Sequence, residues 1–273
     1  MFTQGFVFFF STLIFSVLAT AAVPKNLSNS EKPECPRSKE FITSYEFLKS
    51  QIEWVGTEKK ALELAEKVSA GCKGSAARFI STIVLLEKAE LENRSIIDQA
   101  VSNALANEKR FQAFKVIFQQ AYLSQALDLD AFQSLAIAKK LSVDLPFEKE
   151  NLEQDFRQLV QFCLDTKGLG LSRPQCAQVV TDWISAGSKF QGSVAKGIKE
   201  LFQFLQDSKS EKVSIGSFVD IATKIAGNGD AGVENFRLAY QYAQSDKGLK
   251  MSNKEALQFA IKMSEEPLEN PKD

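Results

Sequence analysis

The chain has 273 residues, with 33 Lys and Arg against 34 Asp and Glu and a net charge of −1. That balance supplies no pull toward nucleic acid or anionic lipid. Histidine is absent, which excludes Ser-His-Asp and Cys-His nucleophile systems and His-ligated zinc or iron. A mechanism using carboxylates or cysteine alone stays open.

In chain order, residues 6–18 form an almost unbroken apolar run, followed by Ala19-Thr20-Ala21-Ala22. Small residues at Ala19 and Ala21 fit a secretory cleavage site, so residues 1–21 are expected to be a signal peptide. No Lys or Arg precedes the run, and its length approaches a bilayer span, so an uncleaved anchor is the competing reading. Cleavage would give a secreted or periplasmic protein. No second run of membrane length follows, so no membrane association is expected after cleavage. Residues 22–38 contain Pro24, Pro33 and Pro36 among small polar residues and read as a disordered lead-in.

From residue 39 to 265 the apolar residues recur at intervals of three and four, the period of a helix. Breaks rich in Gly, Asn, Asp and Ser divide this region into about a dozen helices, expected to form a single all-α domain. Residues 266–273 read as a disordered tail.

Pairing the helices exposes a repeat. Residues 156–185 align on 236–265 without a gap. Phe156, Arg157, Gln161, Lys167, Gly168, Leu169, Ser172 and Gln178 are matched by Phe236, Arg237, Gln241, Lys247, Gly248, Leu249, Ser252 and Gln258. A middle copy runs from Ile198 through Ser214 to Ala222, and a weaker one from Phe114 through Asp130 to Leu141. The period is about 40 residues. Each copy opens with an apolar stripe, such as Phe156, Leu159, Val160 and Cys163. Gly168 and Gly248 stand where a left-handed residue would end the first helix. Ser172 with Gln175, Ser252 with Glu255, and Asp130 with Gln133 have the spacing of a cap that starts the second helix. One such hairpin cannot bury its own apolar faces, whereas stacked copies can. The expected fold is therefore all-α, with antiparallel helical hairpins stacked like an α-solenoid. A compact irregular helical bundle is the alternative.

The four cysteines, Cys35, Cys72, Cys163 and Cys176, are an even set in a chain with an export signal, which predicts two disulfides. Cys163 and Cys176 align with Ala243 and Ala256, apolar positions on the two helices of one hairpin, so a bond between them would close a short loop. Cys35 and Cys72 then pair by elimination. Free buried thiols are the competing reading.

Other constellations read as architecture. The stretch from Asp165 to Ser172 has the rhythm of a calcium loop, but Lys167, Leu169 and Cys176 stand where oxygen ligands are needed. The Gly-rich segment 227–232 lacks the strand and the Lys-Ser/Thr of a phosphate loop. Glu87, Glu90 and Glu92, like Glu148, Glu150 and Glu153, are interspersed with lysine and read as solvated helix faces. Trp183 falls on an apolar repeat position. No catalytic, cofactor or metal residue is assigned. The function expected is a non-catalytic scaffold for an unknown protein partner, because solenoids use one long face for partners. An apolar small-molecule or lipid carrier, or an enzyme built on Asp and Glu, are the alternatives.

Overall fold

The structure is a computed structural model that describes residues 35–146, 150–207 and 213–265. The expected signal peptide, most of the lead-in and the tail lie outside the described residues. These contain thirteen α-helices and no strand: α1 (Arg37–Ser50), α2 (Ile52–Val55), α3 (Glu58–Ser69), α4 (Ser75–Glu87), α5 (Asn93–Leu105), α6 (Glu108–Tyr122), α7 (Ala131–Ser142), α8 (Leu152–Leu164), α9 (Arg173–Ala186), α10 (Val194–Asp207), α11 (Ile215–Ala226), α12 (Gly229–Gln244) and α13 (Asn253–Glu265). α1 begins at Arg37, so the last two residues of the expected lead-in are helical.

Consecutive helices pair as hairpins: α1 with α3 across the one-turn α2, α4 with α5, α6 with α7, α8 with α9, α10 with α11, and α12 with α13. The hairpins then stack in two layers. α4 packs between α1 and α6, α8 between α6 and α10, and α10 between α8 and α12. In the second layer α9 packs between α7 and α11, and α11 between α9 and α13. This is the stacked-hairpin architecture that the repeat predicts, and it follows from the apolar stripe on each helix. Phe114, Phe156, Leu159, Leu201 and Phe236 of the first layer are fully buried against Leu141, Val180, Trp183 and Ile225 of the second. Their burial from water is the main force holding the layers together.

The connection inside the hairpins is one structure used three times. Leu169 N donates to Phe162 O (3.1 Å) and Leu171 N to Cys163 O (2.8 Å). Leu249 N donates to Tyr242 O (3.3 Å) and Met251 N to Ala243 O (2.8 Å). Leu127 N donates to Gln120 O (3.2 Å) and Leu129 N to Ala121 O (2.9 Å) in the copy with the weakest sequence match. The left-handed residue expected at Gly168 and Gly248 sits two places later, at Gly170 (φ 57°), Lys250 (φ 53°) and Asp128 (φ 52°). Gly168 and Gly248 answer a different constraint. A Cβ on them would lie 2.1 Å from Phe162 O and 1.8 Å from Tyr242 O. The chain turns so tightly over the last carbonyl at these two positions that a side chain would force the loop to shift.

The caps follow the predicted spacing. Asp130 accepts from Gln133 N (2.8 Å), and Ser172 N and Oγ both donate to Gln175 Oε1 (3.2 and 2.7 Å). Ser252 N and Oγ donate to Glu255 Oε2 (3.0 and 2.7 Å). Ser214 accepts from Ser217 N (3.1 Å) without a longer partner. Each cap contributes about 1 kcal/mol to its helix.

Candidate binding groove

Hairpins are joined to one another by buried charges as well as by apolar packing. Asp155, in the first turn of α8, accepts from Val194 N (3.0 Å), Ala195 N (3.2 Å) and the Ser193 hydroxyl. Glu40 of α1 does the same for α4, accepting from Gly74 N (3.0 Å), Ala76 N (2.8 Å) and Ser75 Oγ (3.4 Å). Both carboxylates sit against the positive N-terminus of the next first-layer helix, which offsets the cost of their burial. Arg78 is buried too. Its guanidinium donates to the carbonyls of Asn103 (3.3 Å) and Ala104 (2.9 Å) at the end of α5, and to those of Gly71 (3.3 Å) and Lys73 (3.1 Å). Next to it Gln99, Asn103 and Thr82 form a closed buried chain of hydrogen bonds. These charges are committed to helix ends and to the loop before α4. Sequence reading passed over them, although one signal was available: Gly74-Ser75-Ala76-Ala77 and Gly192-Ser193-Val194-Ala195 are near-copies at the two helix starts that receive an acid.

The cysteines divide. Cys35 and Cys72 are bonded across a separation of 37 residues, tying the start of α1 to the end of α3. Cys163 and Cys176 are buried free thiols, against the expected second disulfide. The Cys176 thiol donates to Val160 O (3.6 Å). Its hydrogen bond with Cys163, and after that its burial, push the thiol up from its ordinary pKa. The physical reason is packing: α8 and α9 meet at positions that other copies fill with Ala243 and Ala256, and a thiol serves there as a small apolar side chain.

Glu148 lies outside the described residues. Asp165 Oδ1 accepts from Lys167 N (2.9 Å) inside its own turn, and Glu87, Glu90 and Glu92 are exposed. Trp183 is fully buried, with its Nε1 donating to Thr223 Oγ1 (3.0 Å). Among the described residues no cluster of three His, Cys, Asp or Glu is placed to hold a metal. Two carboxylates lie below the usual range, and both are exposed. Glu58 is held down by the Tyr45 hydroxyl and then by the Lys49 charge, and Glu255 by its hydrogen bonds from Ser252.

A groove of about 340 Å³ lies between α7 and α9 in the second layer. Leu129, Gln133, Ile137, Lys140, Gln178 and Thr181 line it, with Ala136, Pro174 and Ala177 between them. It exists because short side chains face each other here. The next pair of second-layer helices, α9 and α11, is filled instead by Trp183 against Phe218 (ring centroids 6.1 Å apart). Both ends of the groove are fixed. At one end Arg173 bridges to Asp128 (2.6 Å) and Ser124 O (2.8 Å). At the other Lys140 lies 3.9 Å from Asp182, which also accepts from Gln178 Nε2 (2.7 Å). Phe132, one turn from Ala136 on the same helix, is 57% exposed. The groove thus offers an apolar floor, amide groups on both walls and an ion pair at each end. None of this was visible in the sequence, because the repeat makes α7 and α9 look alike and hides how loosely they meet.

No protein-family model, curated protein or solved structure matches the chain.

Proposed function

We propose that the protein is a non-catalytic interaction scaffold, exported from the cell, that receives a protein partner along its second layer at the groove between α7 and α9. The observation that carries this reading is the groove itself. It is an open, partly apolar depression with amides on its walls and an exposed Phe132 at its edge, the composition of a docking surface. Export is supported by the Cys35–Cys72 bond, since such bonds persist in oxidising compartments. No helix among the described residues is long and apolar enough to cross a membrane. The reading assigns no chemistry to the groove.

The size of the groove favours one second reading, an apolar small ligand, because small-molecule sites begin at about 300 Å³. One experiment separates the two. A photo-crosslinking residue at Gln133 or Gln178 should trap a protein of defined mass in the native compartment, and the same residue at Leu105 should not. Native mass spectrometry of the untreated protein should then find the bare chain. A small bound mass lost on Ile137→Trp would establish the ligand reading instead. Equal trapping from Leu105, or no adduct at all, would remove the groove as a docking site.

A further inference from the structure

The hairpins are not all joined with equal firmness. Between the first and the second, the Cys35–Cys72 bond ties the start of α1 to the loop before α4. Glu40 of α1 accepts from Gly74 N (3.0 Å) and Ala76 N (2.8 Å) at the start of α4. The same loop lies against the end of α5. A Cβ on Gly71 would sit 2.2 Å from Ala104 O, and Arg78 donates to both Gly71 O (3.3 Å) and Ala104 O (2.9 Å). The later joints are just as specific. Arg173 of α9 reaches back to Asp128 and Ser124 O, joining the third hairpin to the fourth. Asp155 holds the start of α10, and Trp183 donates to Thr223 of α11 (3.0 Å). Phe204 packs edge-on against Phe236 (6.4 Å) and Tyr240 (5.7 Å) of α12.

The joint between the second and third hairpins differs. In the second layer α3 packs on α5, α7 on α9, α9 on α11 and α11 on α13, but among the described residues α5 and α7 make no comparable contact. In the first layer α4 meets α6 more briefly than α1 meets α4 or α6 meets α8. Arg78 lies 3.7 Å from Glu108 across the joint, yet Glu108 is 63% exposed, and water weakens such a pair. The apolar core does run through, with Phe79 of α4 and Phe114 of α6 both fully buried in it. Apolar burial has no direction, so it keeps the two hairpins together without fixing the angle between them. The chain crosses the joint at Ala106 and Asn107, both with extended backbone.

We propose that this joint is a hinge, at which α1–α5 move as one body against α6–α13. The rotation is taken up at Ala106 and Asn107, since hinges concentrate their change in a few residues at the ends of elements. The disulfide, Glu40 and Arg78 stiffen the smaller body, and the bonds of Arg173, Asp155 and Trp183 stiffen the larger. Each hairpin in such a row leans only on its neighbours, so the row bends where directional bonds are weakest. The groove between α7 and α9 lies wholly within the larger body, and the proposal is independent of it.

Double electron–electron resonance on the full chain tests the hinge. Cys163→Ala and Cys176→Ala remove the free thiols and copy Ala243 and Ala256 of the last repeat. Spin labels then go on introduced cysteines at exposed positions, with Cys35–Cys72 kept oxidised. Lys60 with Lys139 spans the joint, Lys60 with Asp98 lies within the smaller body, and Lys139 with Lys224 within the larger. The distribution of distances across the joint is expected to be at least about twice as wide as either distribution within a body. A distribution for Lys60 and Lys139 no wider than the other two would overturn the proposal.

Discussion

Gly168 and Gly170 look interchangeable in sequence, yet the loop asks different things of them. Gly170 occupies a left-handed conformation that Lys250 and Asp128 also adopt in the other copies. That conformation costs a non-glycine residue about 1 kcal/mol. Gly168 has an ordinary conformation but no room, because a Cβ would press on the Phe162 carbonyl oxygen. Ala126 holds the corresponding place in the weaker copy, so the loop can adjust at some expense. Substitutions here should therefore have opposite signs. Gly168→Ala is expected to lower stability by about 2 kcal/mol, and Lys250→Gly to raise it by about 1 kcal/mol. Chemical denaturation of the two variants checks this, and a stabilising Gly168→Ala would contradict the close approach.

At the scale of the element, the ends of the helices do most of the specifying. The caps were legible in the sequence because their chemistry is local: Ser172 with Gln175 and Ser252 with Glu255 each span only four residues. The hairpins were legible for the same reason, since the period returns Phe156 at Phe236 and Gly168 at Gly248. What stayed hidden depends on neighbours far along the chain. Asp155 and Glu40 have the look of surface acids in a first turn until the following first-layer helix is laid across them. The groove between α7 and α9 depends on how small Ala136, Ala177 and Thr181 are relative to the gap. A disulfide between Cys163 and Cys176 is what an export compartment predicts, whereas the hairpin uses the two thiols as packing.

Two measurements belong to this scale. Glu255 is held below its ordinary value in the folded protein, first by the Ser252 hydroxyl and then by the Ser252 backbone. A lowered folded-state pKa contributes stability that is complete above the unfolded value of 4.5 and is lost as pH falls through the folded value. Glu255→Gln copies the uncharged partner found at Gln175 and removes that dependence. The difference in melting temperature between the two proteins should shrink as pH drops below 4.5. A difference that stays constant down to strong acid would contradict the assignment. For the cysteines, the unreduced protein should show no thiol to Ellman's reagent when folded and two when unfolded, from the buried pair. Reduction of Cys35–Cys72 should then cost up to about 4 kcal/mol, as expected for closing a loop of 37 residues. No thiols on unfolding would restore the second disulfide.

As a whole molecule, the chain is a row of hairpins in which each touches its neighbours and little else. Stability in such a row is divided among the units and the contacts between them. Damage should therefore stay near where it is made and fade along the stack, unlike the response of a single shared core. Asp155 gives the sharpest place to make it. The residue lies on α8, its three bonds reach the start of α10, and removing it leaves two buried backbone donors without a partner, at a cost of about 2–4 kcal/mol.

Hydrogen exchange of Asp155→Ala, read peptide by peptide by mass spectrometry, tests the stacked architecture most directly. The account predicts faster exchange in α8 to α11, a weaker effect in α12 and α13, and unchanged protection in α1 to α5 behind the Cys35–Cys72 bond. A uniform loss of protection from α1 to α13 would contradict it and return the chain to a compact bundle with one cooperative core.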